Sequence, residues 1–561
     1  MRTELLRVII LLCCFNVLGA TSAVSRVPSP AGKKNVAQWT RFEAQFTSTT
    51  EYQNPVQDMQ VEVDFTSPTG KKPTVLAFWD GGKTWRVRFS PDEIGKWTYR
   101  TRASRPEDGG LHNQVGEFAC APYHGRNPLY RNGAVRVSDD KRYLVHADGT
   151  PLFWLSDTAW NGPMKADVKS WEVYLRDRVD KGFTAVQFVT TQWVLADGDE
   201  NGQPAFIGME KIAVNPAFYQ RLDKRIDALN EHGLLAAPVL FWALTYGEDP
   251  VLSPGPTLSD DQLIVLGRYF VARYASHHVV WILNGDGDYR AEKAERWKKI
   301  GRAVFGNPPQ RLATVHPSGL HWVGDEFRNE PWLSFLGYQS CHYHSPEAYR
   351  WHVEGPPARE WNKVPPLPVI NLEANYEAII SLDTVKKPFD DRDVRRASYW
   401  SLLVSPPAGI TYGAHGIFSW QLSRGFPMNF PYAGEAPPWH EAMRLPGSTS
   451  MKHLKDLFTA FDYWRLRPAQ DLLVEQPGAQ DPIRYVVIAT AEGADWGLAY
   501  LPTGGTIRLR SEALGSAIKA RWFNPRTGEW LKSQPVSGSP LELQAPDASD
   551  WVVHFVFAQK R

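Results

Sequence analysis

Cysteine is nearly absent: the chain holds four in 561 residues, and two of these, Cys13 and Cys14, fall in one apolar N-terminal run. Cys120 and Cys341 remain, far apart along the chain, which excludes a disulfide framework and leaves stability to hydrophobic cores. An excess of charge of one sign is also missing, since 62 Lys and Arg balance 61 Asp and Glu. Nucleic-acid binding normally shows a basic excess or stripe, so no nucleic-acid partner is expected. Apolar runs of membrane length are absent too, and no transmembrane segment is expected. No short-period repeat is visible. The chain is too long for one ordinary core, which makes two or three domains the expectation.

What is abundant is aromatic: 23 Trp, 21 Tyr and 26 Phe. Flat aromatic faces suit sugar rings, and they equally suit β-rich cores. At the N-terminus, Arg2 and Arg7 precede the apolar run "VIILLCCFNVLGA" and the small residues of "ATSAVS". This reads as a signal peptide over residues 1–23 and predicts a secreted or periplasmic protein.

Residues 36–120 alternate apolar and polar side chains at period two, as in "MQVEVDFTSPTG" and "TWRVRFSPDEIGKWTYRTRA". Gly, Pro and Asp break the pattern into short strands, predicting a small immunoglobulin-like β-sandwich. The stretch "APYHGRNP" then serves as a linker. From 125 to 465 continuous apolar runs alternate with helix-period segments. Eight candidate strands lie in "PLFWLSDTAW", "TAVQFVTTQW", "LLAAPVLFW", "VVWILNGD", "LATVHPSG", "LSFLGYQSCHYH", "PVINLEANYE" and "GITYGAHGIFSW". Strands buried on both faces and alternating with helices predict a (β/α)8 TIM barrel. Residues 466–561 return to β texture, and the helix "SMKHLKDLFTAFDYW" is expected to dock this second sandwich on the barrel. The fold class expected is therefore multidomain, α/β with all-β: a central TIM barrel flanked by two β-sandwiches.

Active sites of such barrels form at the C-terminal ends of the strands. Each candidate strand here ends in groups that hydrogen-bond or stack. They are Asp157 and Trp160; Gln192 and Trp193; Trp242; Asn284 and Asp286; His316; Gln339 and His342; Glu373 and Tyr376; Tyr412, His415 and Trp420. A plain turn needs Gly, Asn or Asp but no such supply of Trp, His and Gln. Cleaving a glycosidic bond requires a proton for the leaving oxygen and an anion facing the anomeric carbon, and two carboxylates supply both. Asp286 after the fourth strand and Glu373 after the seventh face each other across the expected barrel mouth. Read singly, Asp286 is also a turn residue in "NGDGD", and Glu373 is also a rim ion-pair group. Asp288 competes with Asp286 for the acid role. Asp157 suits a sugar hydroxyl or a helix cap, with the sugar preferred. His342 and His344 form an H-x-H pair of the kind metal sites use, but no further ligand stands in register, so a sugar contact for His342 is preferred and no metal is expected.

The segments "PLFWLSDTAW", "KGFTAVQFV", "WILNGD", "YQSCHYH", "LEANYE", "DVRRASYWSLL" and "GITYGAHGIFSW" together resemble the apiosidase-like glycoside hydrolase barrel, over most of 125–465 and in strand order. The segment before it resembles the small β-sandwich domain of unknown function that precedes such barrels, and the end resembles the β-sandwich called collagen-binding in relatives. The resemblance implies a catalytic pair that falls on Asp286 and Glu373. Asn284 stands where Gly is usual in that family, and Leu372, Ala374, Asn375, Ala414 and Phe418 also depart from its motifs, so the expectation is glycoside cleavage rather than a particular sugar. The expected reaction is hydrolysis of polysaccharide side chains, with Asp286 as general acid/base, Glu373 as nucleophile and no cofactor; configuration is retained if the two carboxyls stand about 5–5.5 Å apart and inverted if the gap is about 6.5–9.5 Å. The alternative is a polysaccharide- or matrix-binding protein whose barrel is inactive.

Overall fold

A computed structural model describes residues 35–245, 253–307, 309–493, 495–514 and 517–557. The expected signal peptide lies outside the described residues. The centre of the molecule is one sheet of eight parallel strands. They are β1 (Trp154–Thr158), β2 (Ala185–Val189), β3 (Leu235–Phe241), β4 (Trp281–Asn284), β5 (Ala313–Thr314), β6 (Leu336–Gln339), β7 (Val369–Glu373) and β8 (Gly409–Gly413). Every residue of these strands is buried, as continuous apolar runs covered on both faces require.

The strands run in the order β5-β4-β3-β2-β1-β8-β7-β6, so the barrel is nearly closed, with its seam between β5 and β6. Short side chains stitch that seam. Ser334 N donates to the Ala313 carbonyl at 2.8 Å and Ala313 N to Ser334 Oγ at 3.1 Å. The Thr314 hydroxyl donates to the Phe335 carbonyl at 2.8 Å and accepts from Gly337 N at 3.1 Å.

Amphipathic helices form the outer ring, among them α1 (Val168–Asp180), α2 (Pro216–Glu231), α3 (Asp260–Tyr274), α4 (Glu292–Phe305) and α5 (Asp391–Val404). In α2 the stripe Phe218, Leu222, Ile226 and Leu229 is buried, and Gly233 at φ 78° turns the chain just past the helix end, where only a residue lacking Cβ sits without strain. Helix α3 begins at Ser259, whose side chain accepts from Gln262 N, the N-cap role that serine favours.

A mostly antiparallel five-stranded sheet, with one parallel edge strand at Asn35–Ala37, and a three-stranded antiparallel sheet enclose a separate core at the N-terminal end, with Phe42 stacked on Phe118 at 3.9 Å and Phe65 on Phe89 at 4.2 Å. This sandwich is riveted to the barrel by a buried ion cluster. Arg88 contacts Asp223 of α2 at 2.7 Å, and Arg273 of α3 contacts both Asp223 and Asp80 of the sandwich at 2.7 and 2.9 Å. The C-terminal residues form a larger sheet facing a two-stranded one over a third core. Helix α5 is its dock: Arg395 grips Asp550 with two contacts at 2.7 and 3.1 Å, and Tyr399 stacks on Tyr500 at 4.6 Å. Helix α6 (Pro446–Thr459), foreseen as the docking element, packs against α5. Cys120 and Cys341 are both unpaired.

Candidate active site

The strands' C-terminal ends open into a cavity of about 290 Å³. One wall is indole: Trp160, Trp193 and Trp242 line it, with Trp242 at 4.3 Å from Trp193 and 5.5 Å from Trp160. The chain leaving β4 passes directly beneath Trp242, where a Cβ on Gly285 would lie 2.1 Å from the indole. Glycine is therefore required at the residue that delivers Asp286 to the cavity. The opposite wall carries Gln339, His342, Glu373 and Tyr376. A register shift between β6 and β7 at Tyr338 and Gln339 pairs Gln339 with Glu373; such irregularities re-aim side chains beside active sites.

Glu373 is buried at the end of β7. His342 Nε2 contacts its Oε1 at 2.8 Å, while His342 Nδ1 accepts from Tyr376 N at 3.2 Å. Because Nδ1 is an acceptor, the ring proton sits on Nε2 and is donated to the carboxylate. His316 lies between the two acids, fully buried: Nδ1 is 3.5 Å from Asp286 Oδ1 and Nε2 is 3.4 Å from Glu373 Oε2. At those distances the contacts are ionic rather than well-formed hydrogen bonds. Burial alone would lower the His316 pKa, yet the flanking carboxylates raise it to about 9. Burial would likewise raise that of Glu373, but the two imidazoles hold it down at about 2. At neutral pH the arrangement is thus a charged nucleophile-type carboxylate against an imidazolium whose other nitrogen faces Asp286. Gln339 Nε2 reaches Asp286 Oδ1 at 3.5 Å. Asp288 takes another path: Arg290 and Lys293 bind it at 2.8 and 3.2 Å outside the cavity and hold it far below the usual carboxylate range.

Of the residues expected to contact sugar, Trp160, Trp193, Trp242, Gln339, His342 and Tyr376 line the same cavity as Asp286 and Glu373. His316 sits just below it, between the acids. The others are placed elsewhere. Asp157 points away from the barrel axis, where Arg178 Nε contacts it at 2.9 Å and Tyr174 donates to it at 2.6 Å. Fully buried there, it anchors α1 and has no access to a sugar. Tyr412 points to the same outer layer and donates to Glu377 at 2.6 Å. Trp420 stacks on Trp439 at 4.9 Å. Gln192 bridges Phe206 O and Ala205 N, both at 2.9 Å, and so fixes the loop after β2. His415 contacts the Gly434 carbonyl at 3.0 Å, and burial depresses its pKa to about 4. Asn284 is wholly buried behind Gly285. The H-x-H pair diverges, with His344 stacked on Phe389 at 4.1 Å. Among the described residues no cluster of three or more His, Cys, Asp or Glu is placed to hold a metal ion.

Sequence reading missed the walls supplied by loops: Leu195, His321, Tyr343, Phe418, Phe430 and Tyr432. The stretch "NFPYAG" carried an aromatic signal without a strand to anchor it.

The family model described as "Apiosidase-like, catalytic domain" matches residues 138–465. That is more than half of the chain: the protein belongs to this family, and is a glycoside hydrolase. Residues 35–104 match the description "Domain of unknown function (DUF5060)". Residues 468–555 match "Putative collagen-binding domain of a collagenase". Among solved structures, one described as "Glycoside hydrolase" is 24% identical, with 78% of this chain and 99% of that chain covered and a TM-score of 0.65. A glycoside hydrolase family 5 protein from Bacteroides vulgatus ATCC 8482 is 22% identical, covering 78% and 96%, with a TM-score of 0.66. A "putative glycoside hydrolase" from the same organism is 21% identical, covering 94% and 100%, with a TM-score of 0.69. At these identities the likeness is one of fold. No curated protein matches the chain. Among the described residues no helix is long and apolar enough to cross a membrane.

Proposed function

We propose that the enzyme cleaves sugar side chains from complex polysaccharides of plant or algal type by a two-carboxylate, retaining mechanism. Glu373, ionised, attacks the anomeric carbon while Asp286 protonates the leaving oxygen; Asp286 then takes a proton from the water that releases the sugar. Trp160, Trp193 and Trp242 stack on the sugar, Gln339 contacts its hydroxyls, and His342 holds Glu373 in place. The observation that carries this reading is that both carboxylates line one cavity and flank one imidazole, with Glu373 held in its charged form. We further propose that the N-terminal segment exports the enzyme, as residues 1–23 suggest; the mass of the mature protein tests this.

The first experiment is a product screen on complex pectins and sulfated glycans, comparing wild type with Glu373→Gln. Release of one monosaccharide by the wild type and none by the variant supports the reading. The same product from both overturns it.

A further inference from the structure

A second cavity lies far from the catalytic one, at the seam between the N-terminal sandwich and the opposite end of the barrel, and measures about 490 Å³. That volume is within the range of small-ligand sites. From the sandwich it takes Trp39, Lys72, Ser90 and Trp97; from the barrel it takes Ser276, which follows α3, and Arg311, which precedes β5. Two cations that line it are already committed: Lys71 to Glu93 at 2.7 Å, and Arg88 to Asp223 and Glu43. Arg311 and Lys72 are different. The Arg311 guanidinium reaches only backbone carbonyls, of His277 at 3.3 Å and Gln310 at 3.5 Å, and neither cation has an ion pair among the described residues. The one acid in the wall is Asp92. Two hydroxyls of the lining, Ser90 Oγ and Ser276 Oγ, are buried without a hydrogen-bond partner, and Ser276 is only 4% exposed. Buried polar groups are normally satisfied. Burial also lowers the Arg311 pKa to about 10, opposed by Asp92 alone.

Unpaired cations, unsatisfied hydroxyls and indoles in one crevice are complementary to an anionic group carried on a flat, partly apolar ring. We infer that this crevice is a second, non-catalytic binding site for acidic saccharide, taking a carboxylate or sulfate group of the polymer on Arg311 and Lys72 with its ring against Trp39. The site would hold an acidic polysaccharide while the barrel mouth at the other end remains open. It does not depend on the catalytic roles of Asp286 and Glu373.

Affinity electrophoresis of the full chain tests it, at physiological ionic strength, through gels containing polygalacturonate, dextran sulfate or neutral galactan. The net charge is only +1, so non-specific attraction to polyanions is weak. Wild type should be retarded by one or both anionic polymers and not by galactan, and the two anionic gels separate carboxylate from sulfate recognition. Arg311→Gln should weaken retardation roughly 10- to 100-fold, the equivalent of the about 1.5–3 kcal/mol that a hydrogen bond to a charged group contributes. The surface variant Lys72→Gln should weaken it in the same direction without risk to folding, and hydrolysis of a small glycoside should be unchanged in both. No retardation of wild type, equal retardation by galactan, or variants retarded like wild type would overturn the inference.

Discussion

Asp157 and Glu373 are both acids in buried barrel strands, yet they face opposite layers. Strand parity turns Asp157 outward, whereas the register shift beside β7 turns Glu373 to the cavity although Asn371, two residues before it, reaches Ser401 on α5. In β1, Trp154 and Thr158 point inward, where the Trp154 indole donates to Thr411 Oγ1 and Gln187 donates to Thr158 Oγ1. Asp157 therefore points outward to Arg178 and Tyr174. Tyr412 follows the same rule beside inward-facing Thr411. Composition at a strand end was legible; the half-turn between neighbouring residues was not, because apolar runs buried on both faces carry no alternation to reveal it. Asp157→Ala should leave buried Arg178 with only its longer contact to Asp177 at 3.6 Å, at a cost of up to about 3–5 kcal/mol. Denaturant melts should register that loss while KM stays unchanged; a raised KM at intact stability would restore Asp157 to the sugar site. His316 carries the second prediction at this scale. Its pKa of about 9 and that of Glu373 at about 2 imply that the imidazolium holds Glu373 ionised. His316→Gln should shift the acid limb of kcat/KM upward, because Glu373 loses one of its two imidazole partners. It should also alter the alkaline limb near pH 9. A merely structural histidine would lower the rate without moving either limb.

The barrel was foreseen at the level of elements because each parallel strand reads as an apolar run and the stretches between them carry a helical period. The seam was not, since β5 has only two paired residues, and what joins it to β6 is a threonine and a serine with no periodic signature. Those two strands carry His316 and Gln339 into the site. Thr314→Val keeps the volume of the side chain but removes both hydroxyl contacts. It leaves buried backbone groups unsatisfied at about 1–3 kcal/mol. The variant should melt earlier and also lose kcat, because the seam positions the histidine between the acids. Full activity at wild-type stability would show that the seam is passive.

Over the whole molecule, three cores are joined by buried ion pairs and by apolar contact rather than by disulfides among the described residues: Phe78 of the N-terminal sandwich and Val487, Leu498 and Val552 of the C-terminal sheet pack into the barrel's core. Asp223 is held far below the usual carboxylate range: burial opposes its ionisation, but Arg88 and Arg273 outweigh it. A carboxylate depressed in the folded state contributes stability above its unfolded pKa of about 3.9, and that contribution fades as pH falls toward the folded value. As pH falls from about 4 toward that folded value the dock should therefore weaken until the N-terminal sandwich separates from the barrel, seen as a split calorimetric transition. Asp223→Asn should show the split at neutral pH. One unsplit transition in that variant at both pH values would show that apolar contacts alone hold the dock. The domain pattern came from texture changes in the sequence, whereas the ion cluster joining two of the domains spans residues 80 to 273 and had no local signal.

The most direct test of the catalytic pair uses the dinitrophenyl glycoside of whichever sugar the screen releases. A reactive leaving group needs no protonation, so Asp286→Asn should keep rapid release of dinitrophenol and lose roughly 10²–10⁴-fold on the natural linkage. Added azide should then yield a glycosyl azide of retained configuration. Glu373→Gln should be inactive on both substrates. Near-wild-type kcat in both variants would contradict the roles given to these two carboxylates.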